Sequence, residues 1–272
     1  MAFIHMNYFS RTLLRNVDVN VIIPTETCQE IHNEFDSNFK EEYPVLYLFH
    51  GAFGDYTDWS RFTDIESCAL QYQIAVVMPS VENTFAMNIE KGDQYLTFAG
   101  KELPGFVSHL FPVSTKRERV FAGGLSMGGY VACSVAAHYP ETFSKAVTLS
   151  GALDIGEVRR MRDKGDERLP FNLELLMGSR FEQPEAYDLP ELFRKDKENG
   201  WPIAVYQACG TEDFLYEINQ QKKSLFQEIC EKYRYEEGPG AHEWPFWNQY
   251  IKNAVQWLLQ DETAEKESES VA

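Results

Sequence analysis

The sequence predicts an α/β protein: a mostly parallel central sheet with helices on both faces and a small helical insertion late in the chain. Three observations carry this. Short, continuously apolar runs such as Val45-Leu46-Tyr47-Leu48-Phe49 and Ile74-Ala75-Val76-Val77-Met78 read as strands buried on both faces. Helical segments alternate with them at the spacing of βαβ units. A Gly-x-Ser-x-Gly pentapeptide, Gly124-Leu125-Ser126-Met127-Gly128, sits between one such strand and one such helix.

Asn7 to Pro24, with alternating apolar positions at Val17, Val19 and Val21, reads as an antiparallel edge hairpin. Thr25 to Glu42 is polar and acidic and predicts a surface connection. A strand follows at Tyr43 to His50, then a loop at Gly51-Ala52-Phe53-Gly54-Asp55. Asp58 to Tyr72 predicts a helix, Ile74 to Pro79 a strand, and Tyr95 to Phe111 a helix interrupted near Pro104-Gly105. Arg119 to Leu125 is the strand that feeds Ser126, and Met127 to His138 the helix behind it. Strands at Ala146 to Gly151 and Ile203 to Cys209 come next, then helices over about Leu215 to Tyr233 and Trp247 to Leu259. Leu153 to Gly200 breaks the rhythm. A connection that long hosts function or a small lid, and it carries a basic patch of Arg159, Arg160, Arg162 and Lys164. The expected organisation is one domain over 1–260, with 153–200 a lid-like insertion and 261–272 an acidic disordered tail.

The formal net charge is −17, from 25 basic and 42 acidic residues, which argues against nucleic acid or an anionic membrane surface as a partner. Self-association into a homo-oligomer stays open. Five scattered cysteines without a CxxC pair predict reduced thiols rather than a zinc site or a disulfide framework. No His/Cys/Asp cluster has metal-ligand spacing, and the glycines around Ser126 lack the Lys of a phosphate loop. The first residues lack a basic stretch followed by an apolar core, and the apolar runs are strand length, so a cytoplasmic protein is expected.

A Ser hydroxyl is a poor nucleophile at neutral pH. It needs a base in contact, and the base needs an orienting acid. On a sheet of this type both come from loops at the carboxyl ends of later strands. Asp213, after the strand at 203–209, is the preferred acid, and its neighbour Glu212 the alternative. His242, in the Gly/Pro-flanked loop before the last helix, is the base, since it alone of the six histidines fits the order. His50 precedes Ser126 and is expected to hydrogen-bond within its loop. An oxyanion hole requires two backbone N–H groups. One is that of Met127, and the other comes from the loop after His50, with Ala52 preferred and Phe53 the alternative. Phe53, Phe171, Phe181 and Trp244 are candidate substrate contacts, although core packing explains aromatic residues such as these and Phe246 equally well.

These residues together resemble the esterase D-like branch of the α/β-hydrolases, most closely bacterial tributyrin and feruloyl esterases. The resemblance lies in His50-Gly51 with Trp59, Glu102-Leu103-Pro104, Gly124 to Tyr130, Ser150-Gly151-Ala152-Leu153, Gly210 to Tyr216, and His242-Glu243-Trp244 with Trp247. It implies the α/β-hydrolase fold and hydrolysis of small-molecule carboxylic esters without a cofactor. It also carries over Ser126, Asp213 and His242 as triad, with Ala52 and Met127 as oxyanion donors. Relatives of the resembled group include S-formylglutathione hydrolases, so a thioesterase is the alternative. A non-catalytic binding protein on the same fold is disfavoured because no triad member is missing.

Overall fold

A computed structural model of the chain describes residues 1–25, 42–169, 173–178 and 186–260. Within them lies an eight-stranded sheet in the order β1-β2-β4-β3-β5-β6-β7-β8. Strands β1 (Ala2–Ser10) and β2 (Arg15–Ile23) form the expected edge hairpin, which begins at Ala2 rather than Asn7. β2 runs antiparallel to β4 (Ala75–Pro79), and β3 (Val45–Phe49) parallel to it. The remaining pairs, β3 with β5 (Val120–Leu125), β5 with β6 (Lys145–Leu149), β6 with β7 (Ala204–Gly210) and β7 with β8 (Tyr233–Gly238), are parallel.

Between β3 and β5 the chain reverses its direction of travel across the sheet. Adjacent connections leave to opposite faces there, opening a crevice at the carboxyl ends of the strands, where ligands of such sheets bind. The loop after β3 and the residue after β5 meet at that point.

Alternation along the central strands divides the core in two. Val45, Tyr47 and Phe49 of β3 pack on one face, with Val131, Val135 and Phe226, and Leu46 and Leu48 pack on the other, with Ile65, Ile251 and Val255. Helices therefore cover both faces, as expected. The predicted helix over 58–72 is two: α1 (Asp58–Phe62) and α2 (Ile65–Tyr72). Thr63 adopts an extended conformation between them, its hydroxyl donating back to the Trp59 carbonyl and accepting the Ile65 N–H. A short hydroxyl side chain thus ends one helix and starts the next. Over 95–110 the chain forms α3 (Tyr95–Thr97), a π-turn at Phe98–Glu102 and α4 (Leu103–Leu110). The interruption thus comes one turn before Pro104, which occupies the first turn of α4, where no N–H is required.

Helix α5 (Met127–His138) has the predicted bounds. The insertion after β6 is helical: α6 (Ile155–Asp163), α7 (Leu173–Met177) and α8 (Leu189–Glu198). Its arginines form pairs within the insertion: Arg160 with Glu157, Arg162 with Asp163 and Glu174, and Arg159 with Glu174. Lys222 of α9 (Tyr216–Ile229) anchors the start of α6 through Asp154 at 2.9 Å. Helix α9 is shorter than predicted, because Tyr233 to Gly238 form β8 rather than helix. The last helix, α10 (Trp244–Leu258), starts three residues before the expected Trp247, with Pro245 in its first turn. The connection at 26–41, the tail at 261–272 and Cys28 lie outside the described residues; the other four cysteines are free and buried. Among the described residues no helix is long and apolar enough to cross a membrane.

Asp196 of α8 is buried, and its Oδ2 has no hydrogen-bond partner. Burial pushes its carboxyl up to about 6, against the attraction of Arg117. The folded protein therefore holds this proton more tightly than the unfolded chain, so the group subtracts stability as pH rises from about 4 to about 6. Asp196→Asn is expected to stabilise the protein at pH 7 by on the order of 1 kcal/mol, raising Tm by about 2–4 °C, and to flatten Tm against pH below 6. Thermal melts at pH 4.5 and 7 check this; an equal shift at both would contradict it.

Candidate active site

Ser126 lies between the end of β5 and the start of α5 with φ 53° and ψ −119°, a conformation strained for any residue with a Cβ. Backbone hydrogen bonds hold it there. Its N–H donates to the Leu149 carbonyl at 2.9 Å, and its carbonyl accepts from Ala152 at 3.0 Å and Gly129 at 3.1 Å. The two glycines of the pentapeptide are steric requirements: a Cβ on Gly124 would collide with the Gly128 carbonyl, and one on Gly128 with the carbonyls of Phe49 and His50. The hydroxyl is thereby presented at the crevice, beside the N-terminus of α5.

Asp213 sits in the loop after β7, and His242 in the loop between β8 and α10. Strand β8, which the sequence reading missed, brings the two loops together. The Thr211 N–H donates to the Gly238 carbonyl at 2.9 Å and the Glu212 N–H to the Gly240 carbonyl at 3.1 Å. His242 Nε2 is 2.9 Å from Ser126 Oγ, and His242 Nδ1 is 2.9 and 3.0 Å from the two Asp213 oxygens. Asp213 Oδ1 also accepts the Leu215 N–H at 2.8 Å, and its side chain is fully buried. The imidazole lies between Phe214, 4.6 Å away between centroids, and Trp247, edge-to-face at 4.9 Å. Trp247 is itself fixed by its indole N–H donating to Ser150 Oγ at 3.0 Å. Glu212, the alternative acid, is turned to the Gly240 N–H at 2.5 Å instead.

The loop after β3 closes the other side. His50 donates from Nδ1 to the Gly51 carbonyl at 2.7 Å and accepts the Val81 N–H at Nε2, 2.9 Å, which fixes its tautomer. It is structural, as expected, and burial holds it below its ordinary pKa. The Phe53 N–H donates to Asn83 Oδ1 at 2.7 Å. No acceptor among the described residues takes the N–H of Ala52 or of Met127.

A cleft of about 1060 Å³ opens over Ser126 and is lined by Ala52, Met127, His242, Phe53, Trp244 and the unpredicted Phe62, among others. Phe62 packs against Trp244 at 5.0 Å. Arg168, from the insertion, also reaches this cleft and lies over the Phe214 ring, held by Asp166. Phe246 turns into the core against Tyr250, whereas Phe171 and Phe181 lie outside the described residues. Phe62, Arg168 and Asn83 carry no local motif; a Phe next to the acid, as at Phe214, was the one signal in reach.

A mostly parallel sheet with a Ser, a His and an Asp linked in sequence at its carboxyl edge defines an α/β-hydrolase of the serine type. The chain belongs to the Esterase family, described as "Putative esterase", which matches residues 10–258. It is 34% identical over 270 residues to an acetyl esterase of Caldicellulosiruptor saccharolyticus, covering 95% of this chain and 98% of that one. Two solved Staphylococcus aureus structures are similar at 31% identity over 95% of this chain. The substrate-bound fluorophosphonate-binding serine hydrolase FphF has a TM-score of 0.81 with 98% of its chain covered. The S-formylglutathione hydrolase FrmB has 0.80 with 99% covered. The protein is a carboxylic ester hydrolase.

Proposed function

We propose that the protein hydrolyses short-chain and aryl carboxylic esters through a Ser126–His242–Asp213 triad and a covalent acyl-enzyme. His242 Nε2 takes the Ser126 proton as Oγ attacks the ester carbonyl, and the carbonyl oxygen becomes an oxyanion held by the Ala52 and Met127 N–H groups. His242 passes its proton to the departing alkoxide, which leaves as the alcohol. It then takes a proton from water, which attacks the acyl carbonyl, and returns that proton to Ser126 Oγ as the carboxylic acid is released. Asp213 keeps the Nδ1–H tautomer and stabilises the imidazolium. The observation that carries the reading is the 2.9 Å contact between Oγ and Nε2 on a backbone strained to present the hydroxyl.

A thioester reading has the FrmB likeness in its favour. The charge of the cleft weighs against a glutathione leaving group: Asp58, Glu212 and Glu243 line it beside Arg61 and Arg168, and Arg168 is paired with Asp166. A tripeptide with two carboxylates and one ammonium meets more acids than arginines there, whereas an uncharged alcohol finds Phe53, Phe62 and Trp244. Turnover of p-nitrophenyl acetate and butyrate, a feruloyl ester and S-formylglutathione separates the two. The expected result is the higher kcat/KM on the oxygen esters; preference for S-formylglutathione would overturn it.

A further inference from the structure

Ala52 stands between two peptide planes, and each is pinned by hydrogen bonds. In the first, the Gly51 carbonyl accepts from His50 Nδ1 at 2.7 Å and from the Gly54 N–H at 3.3 Å. Because the peptide is planar and trans, the Ala52 N–H must point the opposite way. In the second, the Phe53 N–H donates to Asn83 Oδ1 at 2.7 Å. Phe53 has φ 65°, a left-handed conformation costly for a bulky side chain. The residue is 66% exposed. The hydrogen bond that the Phe53 N–H donates to Asn83 stabilises this conformation, together with the Gly54-to-Gly51 turn bond.

Asn83 is well placed for this. Its segment follows β4 and is tightly wound, with Glu82, Phe85 and Ala86 all at positive φ. The Thr84 hydroxyl donates to the Val81 carbonyl at 2.6 Å and accepts the Ala86 N–H at 3.1 Å, while the Val81 N–H is tied to His50. The loop it holds runs against the nucleophile: a Cβ built on Gly51 would lie 3.6 Å from Ser126 Cβ.

We propose that Asn83 is a positioning residue for the oxyanion hole, holding Phe53 in its left-handed conformation and so aiming the Ala52 N–H at the oxygen that becomes charged. The proposal rests on Ala52 being an oxyanion donor. Without the Asn83 acceptor, Phe53 relaxes towards negative φ and the Ala52 N–H turns off its aim. The loss falls on the transition state, where the oxyanion forms, and spares ground-state binding.

The test is Asn83→Ala and Asn83→Asp, each with and without Phe53→Gly, measured on p-nitrophenyl acetate. A trifluoromethyl ketone, whose adduct carries an oxyanion, reports the hole directly. Deleting one donor costs on the order of 10²–10³ in kcat, and a misaimed one should cost roughly 10- to 100-fold. Asn83→Ala is expected to lose that much in kcat with KM nearly unchanged, and to weaken ketone binding to match. Asn83→Asp keeps an acceptor oxygen and most of the activity. Gly tolerates positive φ, so the Asn83→Ala loss should shrink when Phe53→Gly is present. Wild-type kcat in Asn83→Ala, or an equal loss in both backgrounds, overturns the proposal. Ala52→Pro, which removes the N–H itself, keeps the two failures apart. A folded, fully active Ala52→Pro would contradict the oxyanion reading; an inactive one beside an intact Asn83→Ala would contradict only the role of Asn83.

Discussion

Ser126→Ala is expected to lower kcat on p-nitrophenyl acetate by on the order of 10⁶ while leaving Tm almost unchanged. The size follows from the chemistry: without Oγ there is no acyl-enzyme, and what survives is water attack assisted by the oxyanion hole. The small effect on stability follows from the structure. The backbone bonds to Leu149, Ala152 and Gly129 do not involve the side chain, and among the described residues the hydroxyl bonds only His242. Ala at φ 53° is strained no more than Ser. Stopped assays and a thermal melt of the purified variant check both halves. Turnover within tenfold of wild type would exclude Ser126 as the nucleophile.

Asp213→Asn should cost about 10⁴ in kcat, although it changes one atom. The Leu215 N–H, 2.8 Å from Oδ1, requires an acceptor there, so an Asn side chain must turn its NH₂ into the Oδ2 position, 2.9 Å from His242 Nδ1. Two donors then face each other. The ring relieves this by carrying its proton on Nε2, where it points at Ser126 and can no longer accept the hydroxyl proton. Glu212→Gln should be mild by comparison, since that carboxylate serves the Gly240 N–H. The kcat ratio of the two variants is the measurement, and a larger loss for Glu212→Gln would reverse the assignment of the acid.

What could be read from the sequence divides by range of interaction. The turn at Ser126 is signalled within five residues, because glycine at 124 avoids the Gly128 carbonyl and glycine at 128 avoids the carbonyls of Phe49 and His50 on the neighbouring strand's end. Asp213 and His242 were legible from chain order, since each follows a strand whose apolar run is unmistakable or precedes the last helix. Strand β8 was not legible. Tyr233-Arg234-Tyr235-Glu236-Glu237 is an edge strand with charged residues on both faces, a pattern that protects an edge and hides a strand. The break at Thr63 depends on a side chain that competes with the helix for the backbone, which periodicity does not register. The Asn83 bond to Phe53 spans 30 residues and joins two loops, so only the assembled fold displays it. Phe62 looked like one more helical residue until the break at Thr63 set it at the mouth of the cleft.

The central claim is that Ser126 is the residue that becomes acylated. Labelling the folded enzyme with a fluorophosphonate probe, followed by peptide mass mapping, tests it most directly. The account predicts one phosphonylated residue, Ser126, with loss of esterase activity in step with labelling and no label on Ser126→Ala. A label on any other residue, or an enzyme that hydrolyses esters and leaves Ser126 unmodified, would contradict it.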